Sequence, residues 1–336
     1  MLTAVMKPSA DILIIINPAS AACKTARRIP SIVTALERRF SRRCAFALTR
    51  GPGDAMRLAG EAVRDCFSLV VAVGGDGTFH EVVNGIMAAS QGCVPSCPLG
   101  LISSGSGQGF AGSLRLPPTL DEQVRLIAEG PCRAVDVGVL STRRDPGGWS
   151  DHYFINECQI GIGADVVCST GRVKKAAGGL LGYGLAAFSA IFRSPNADLS
   201  LTIDDGEEPS CSVLGLAIGN GDRTAGGMSL TPGAELDDGV LNLLTIHGLG
   251  LADRLRSFPK IYSGAHVGAQ GFSYRGVKRC RVVGSVPLAV AADGELMGRL
   301  PCVISVLERA LLVTAPLQSG DQKHEQTVPR LAEARV

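Results

Sequence analysis

Residues Val70–Gly85 read VVAVGGDGTFHEVVNG. An uninterrupted apolar run, Leu69–Val73, passes straight into Gly-Gly-Asp-Gly-Thr, and helical spacing follows from Glu81. A short, wholly apolar run predicts a strand buried on both faces. In doubly wound sheets, ligands bind beyond the carboxyl ends of such strands. Glycine there lets the backbone approach a ligand closely and adopt positive φ. Successive N–H groups in a tight turn, placed ahead of a helix, attract an anion. Asp76 in the middle of the loop fits a site that also handles a Mg²⁺ or a proton, and Thr78 adds a hydroxyl. A capped turn would explain a lone glycine pair. The full pentapeptide after a buried strand predicts phosphate binding.

Working outward, Ile12–Ile16 predicts another buried strand, stopped by NPAS at Asn17–Ser20, with helical spacing over Ala21–Phe40. Ala45–Leu48 predicts a strand, and Asp54 a cap for a helix over Ala55–Arg64. Leu99–Ile102 predicts a fourth strand, ending in SSGSGQGF at Ser103–Phe110. Strands alternating with helices imply an α/β N-terminal domain with a doubly wound parallel sheet. Loops at Asn17–Ser20, Gly74–Thr78 and Ser103–Phe110 would then meet at one edge. Neither GxxxxGK[ST] nor an in-register GxGxxG occurs. From Val135 the apolar runs become short and turn-separated, which predicts a β-rich antiparallel C-terminal domain. The expected division is 9–134, 135–316, and a flexible polar tail over 317–336.

The 336 residues include 42 glycines and few aromatics, which suits an α/β protein with many tight turns. A net charge of +2 gives no general argument for nucleic acid. The 11 cysteines form no CxxC pair, so they read as buried small apolar residues of a reducing compartment, not as zinc ligands. The first residues lack a basic stretch followed by a long apolar one, so no signal peptide is expected. Ala176–Phe192 is 17 weakly polar residues with four glycines. It reads as a buried or membrane-touching helix, since it sits at the lower limit for a span.

Together these motifs resemble the diacylglycerol kinase catalytic family, which includes sphingosine, ceramide and bacterial lipid kinases. NPAS resembles that family's N-P-x-S-G, with Ala21 in place of the last glycine. TRGPGDAMRLA, GGDGTFHEVVNGI, GSGQGFAGSL, GNGDRTAGGMSLTPGAELDDGVLNLL and VAADGEL resemble the later motifs in order and spacing. Gln108 replaces the usual Asn, and Gly109 stands where many diacylglycerol kinases have Asp; with His80 this leans toward the sphingoid branch.

The resemblance implies two domains with the active site between them. It places ATP across Gly74, Gly75, Asp76, Gly77 and Thr78, with Asn17, Thr49, Gly105 and Ser106 in reach. It implies a structural Mg²⁺ held by Glu235, Asp238 and the Val240 carbonyl, so the expected cofactors are ATP and Mg²⁺. Glu295 is the implied base for a lipid primary hydroxyl, with Asp293 beside it and Asp76 as the rival. Asp165 is a head-group candidate. The expected reaction is ATP-dependent phosphorylation of diacylglycerol or of a sphingoid lipid such as sphingosine or ceramide. The implied location is cytoplasmic and peripherally membrane-associated; basic residues between Lys24 and Arg43 could face an anionic leaflet. Dimers are common in the family, and a homodimer stays open here. Two other readings remain: an NAD kinase-like or other GGDGT small-molecule kinase, and a non-catalytic lipid- or nucleotide-binding protein. The NAD kinase Asn-Glu pair and G-S-T-A-Y stretch do not occur in the expected region.

Overall fold

The computed structural model describes residues 11–40, 43–90, 97–104, 109–144, 147–173, 188–224 and 227–317. Gly105, Ser106, Gln108, residues 176–187 of the weakly polar stretch, and the tail beyond Leu317 lie outside the described residues. The chain forms two units, each with its own packing. The first comprises residues 1–105, 114–135 and 309–336, and the second comprises residues 106–113 and 136–308.

In the first unit, β1 (Ile12–Ile16), α1 (Lys24–Phe40), β2 (Cys44–Leu48), α2 (Asp54–Arg64), β3 (Leu69–Gly74), α3 (Asp76–Ala89) and β4 (Leu99–Ser103) alternate. A short helix of the second unit, α4 (Gly109–Ser113), precedes α5 (Leu120–Glu129). The strands are parallel, in the order β2-β1-β3-β4, with Ile12 beside both Cys44 and Leu69, and Val70 beside Leu99. Every residue of β1, β3 and β4 is buried, as their unbroken apolar sequences require. Ile12, Ile14, Ile16, Val71 and Val73 pack against Ile32 and Leu36 of α1 and Ile127 of α5. The order reverses between β1 and β3, so the switch point of the sheet lies between Asn17 and Gly74.

Three helix starts differ from the sequence reading. α3 begins at Asp76, ahead of the expected Glu81, because the Gly75 carbonyl accepts from Thr78 and Phe79 at once. α1 begins at Lys24, not Ala21, because Ala21, Ala22 and Cys23 turn left-handed with φ of 54°, 53° and 65°. Helical spacing in the sequence carries no sign of that turn. Asp54 does not cap α2; it is the helix's first residue, and Gly53 (φ 82°) is the cap. The N–H groups of Gly53 and Ala55 instead reach Glu81 of α3, at 2.8 and 3.1 Å. A neighbouring helix thus supplies what the local side chain was expected to give. Asp54 accepts from the Arg50 N–H and from Arg57.

The second unit is antiparallel. Its strands are β5 (Cys132–Arg143, entering from the first unit), β6 (Trp149–Phe154), β7 (Glu157–Gly161), β8 (Ala197–Ile203), β9 (Gly206–Glu207), β10 (Cys211–Gly219), β11 (Leu241–His247), β12 (Phe272–Val277), β13 (Arg279–Gly284), β14 (Ala289–Ala292), β15 (Glu295–Arg299) and β16 (Cys302–Thr314). The last residues of β16 return to the first unit, where Val313 pairs with Leu99 in parallel. Around the central β10 run the pairs β14–β7, β7–β10, β10–β11 and β11–β12. Cys158, Ile160, Leu216, Ile218, Cys280 and Cys302 join one buried apolar cluster, consistent with thiols acting as small core residues. Three helices were not read from the sequence: α6 (Ile162–Val173), α7 (Leu251–Ser257) and α8 (Lys260–Ser263).

The left-handed turn yields a stability test. An L-residue in that region costs about 1–2 kcal/mol, while glycine adds about 0.4–1 kcal/mol of unfolded-chain entropy. Ala21→Gly is expected to stabilise the protein by roughly 0.5–1 kcal/mol, read as a raised midpoint of urea unfolding.

Candidate active site

At the switch point the chain leaves β1 at Asn17, whose N–H donates to the Val73 carbonyl at 3.0 Å. The Asn17 side-chain amide donates to Thr78 Oγ1 at 2.9 Å, and its Oδ1 accepts from the Ala19 N–H at 3.0 Å. Thr78 is 4% exposed, and its hydroxyl fills the space where a Cβ on Gly74 would stand. Gly74 is therefore required by close approach. Positive φ is not involved: Gly75 is near-extended at φ −111°, and neither Gly74 nor Gly77 has a positive φ, contrary to one part of the sequence expectation. The helix starts at once, with Thr78 N–H and Phe79 N–H both donating to the Gly75 carbonyl. Gly75 offers no side-chain cap, so the positive end of α3 faces outward with half-buried Asp76 as its first residue.

The three glycine- and hydroxyl-rich segments do meet. Ser104 N–H donates to the Gly74 carbonyl at 2.8 Å. Its Oγ accepts from Thr25 at 2.8 Å, Thr25 bonds Ser20 at 2.6 Å, and Ser20 donates to the Asn17 carbonyl at 2.8 Å. This hydroxyl chain through Ser20, Thr25 and Ser104 was not singled out from the sequence. The Thr49 N–H donates to the Ile16 carbonyl at 2.9 Å, which sets Thr49 at the same sheet edge. Gln123 of α5 holds the end of β4 by accepting from the Ser103 N–H at 3.1 Å.

In the second unit, Asp293 and Gly294 have φ of 47° and 81° and turn β14 into β15. Asp-Gly suits such a tight hairpin. The Asp293 carboxylate accepts from three backbone N–H groups, those of Ile155 (3.0 Å), Asn156 (2.9 Å) and Glu157 (3.1 Å). It anchors the loop that leads into β7. Glu295, two residues on, is exposed at the start of β15. Asp165, in the first turn of α6, accepts from Ser194 Oγ at 2.6 Å.

Glu235, Asp238 and Val240 lie on the turn before β11. That turn is tied to buried Asp136, whose carboxylate accepts from the Gly239 N–H at 2.7 Å and whose N–H donates to the Leu236 carbonyl. Among the described residues no three His, Cys, Asp or Glu side chains gather as a metal cluster. The Asp238 carboxyl is nevertheless held above its ordinary range, first by desolvation and then by Glu235 and Asp237. A carboxylate with further acidic residues around it fits a hard, partly hydrated Mg²⁺, which takes oxygen ligands.

A family model described as the diacylglycerol kinase catalytic domain matches residues 11–140. Another, described as the YegS C-terminal NAD kinase beta sandwich-like domain, matches residues 157–315. The diacylglycerol kinase of Staphylococcus aureus (strain bovine RF122) is 30% identical over 304 residues, 90% of this chain and 91% of that protein. The "Probable lipid kinase YegS-like" of Chromohalobacter salexigens is 38% identical over 205 residues, 60% of this chain and 61% of that protein. A diacylglycerol kinase structure from Bacillus anthracis str. Sterne superposes with a TM-score of 0.68 over 92% of this chain and 98% of that one, at 20% identity; the likeness is one of fold. Fold and matches define an ATP-dependent kinase. More particularly, the chain belongs to the diacylglycerol kinase family.

Three variants test the site. Gly74→Ala places a methyl on Thr78 and is expected to abolish ATP binding in a calorimetric titration. Asp293→Ala strands three buried N–H groups and is expected to cost about 3 kcal/mol or more of stability. Glu295→Gln, at an exposed position, is expected to stay within about 0.5 kcal/mol of the parent in urea unfolding.

Proposed function

We propose that the protein transfers the γ-phosphoryl group of ATP to the primary hydroxyl of a membrane lipid, a diacylglycerol or a sphingoid lipid. The observation that carries this is an apolar cavity of about 90 Å³ within the second unit. Val166, Ile191, Leu214, Leu230, Phe258 and Ile261 are among its lining. One buried water needs roughly 10–15 Å³ on this measure, so the space accepts several methylene-sized groups. Arg254 touches the cavity, but its guanidinium turns to the carbonyls of Leu249, Ile191 and Ser194 and to Asn196 Oδ1. Such a space suits an acyl chain and offers little to a dinucleotide.

Phosphoryl transfer needs positioning and charge neutralisation more than covalent help. Gly74–Thr78, braced by Asn17 and Ser104, would hold the ATP phosphates at the outward end of α3. Glu295 would take the lipid hydroxyl proton as the oxygen–phosphorus bond forms and the γ-phosphate's bond to ADP breaks. Asp293 positions it by fixing the hairpin. Asp76 remains the rival base, and Asp165 a head-group contact. Mg²⁺ on Asp238 and the carbonyls of Glu235 and Val240 would supply a structural charge clamp on that turn.

Contact with a bilayer belongs to the same proposal. Phe188 and Phe192, with ring centroids 5.0 Å apart, are exposed, as are Leu251, Leu255 and Tyr262. Lys24, Arg27, Arg38 and Arg39 are exposed on α1. No helix among the described residues is long and apolar enough to cross a membrane.

The test is incubation with γ-labelled ATP, Mg²⁺ and micelles of diacylglycerol, ceramide or sphingosine, one at a time. Label is expected in at least one lipid, and Glu295→Gln should lower that rate about 10²–10⁴-fold. ATP binding with no label in any lipid alcohol would favour the non-catalytic reading.

A further inference from the structure

Arg254 at the cavity is fully engaged with carbonyls and Asn196, whereas among the described residues Gln159 is engaged at its amide nitrogen alone. On β7, Cys158 and Ile160 face the apolar cluster of the opposite sheet face. Gln159 therefore projects from the face that carries the cavity, which it lines. Its neighbours in register are Ala217 on β10 and Ala291 on β14, both small enough to leave it room. It is 7% exposed.

Its amide is oriented by chemistry. Nε2 donates to Glu157 Oε1 at 2.6 Å, and Glu157 Oε2 accepts from Thr224 Oγ1 at 2.5 Å. Glu157 is itself only 6% exposed. The NH₂ group thus faces Glu157 and the carbonyl faces away. That carbonyl lies against the first turn of α6, where Gly163 leaves the space: a methyl there would overlap Oε1. The result is a hydrogen-bond acceptor held in place beside an otherwise apolar cavity.

Resting on the lipid kinase reading, we infer that Gln159 determines which lipid the cavity accepts. It selects lipids that bring a hydrogen-bond donor into the cavity beside the chain, such as an amide N–H, an amine or a hydroxyl. A lipid with only ester carbonyls there sets acceptor against acceptor and leaves Oε1 desolvated without a partner. Sites built around a hydrogen bond discriminate strongly against analogues that cannot make it.

The experiment compares 1,2-dioctanoylglycerol with its isostere in which N–H replaces the 2-ester oxygen. Binding to the full chain is read by displacement of a fluorescent dioctanoyl lipid, and turnover by label transfer from ATP. The amide is expected to bind and react about tenfold better or more. Gln159→Met should erase that preference from both sides, lowering binding and turnover of the amide and raising those of the ester. Gly163→Ala should weaken the preference by displacing Oε1, with the native fold checked by circular dichroism. An amide preference in binding with no transfer to either lipid supports Gln159 and overturns the kinase reading. Transfer to both lipids at equal efficiency, or a preference that survives Gln159→Met, overturns the role of Gln159 and leaves the kinase reading standing.

Discussion

A threonine hydroxyl stands where a glycine has no side chain. Thr78 packs into the space left by the missing Cβ of Gly74, and Asn17 donates to its oxygen from the neighbouring strand. That contact lets β3 end and α3 begin within two residues. It aims the positive end of α3 outward and ties the two strands on either side of the switch point. The Ser20–Thr25–Ser104 hydroxyl chain then fixes the third segment to the same edge. The backbone at this edge is thus held in shape by contacts within the protein itself.

The second unit is organised around a different constraint. Asp293 closes a hairpin with its backbone and holds residues 155–157 with its carboxylate. Asn220, fully buried, donates to the carbonyls of Asp136 and Ile155 and so joins the start of this unit to the same loop. Asp136 in turn fixes the Glu235–Val240 turn. Three acidic positions that look alike in sequence therefore differ in kind. Asp293 and Asp136 are structural acceptors inside the protein, whereas Glu295 is exposed to whatever approaches β15.

Much of this was legible in the sequence, for identifiable reasons. Strands β1 and β3, and β4 up to its terminal Ser103, carry no polar side chain because both faces are covered, and such runs are hard to mistake. The loops at Asn17, Gly74 and Ser103 were legible because parallel neighbours put successive carboxyl ends on one edge. What was hidden depends on contacts between distant residues. Glu81 reads as one more acid on a helix until α2 is packed beside it. The turn at Ala21–Cys23 uses residues with no preference for positive φ. The cavity draws on β7, β10, β11, α6, α7 and α8, and no single segment announces it. Gln159 in ECQIG gives little signal, because Glu157, which orients it, is itself held by Thr224, 67 positions further on.

Arg254 has a consequence for how such proteins diversify. This one side chain on α7 gathers the carbonyls of Ile191, Ser194 and Leu249, joining one wall of the cavity to another. The floor, by contrast, belongs to β10 and β11 and is committed to ladder pairing on both sides. Floor and wall are therefore held by separate means. Residues 249–263 can therefore change the depth and outline of the cavity without renegotiating strand register.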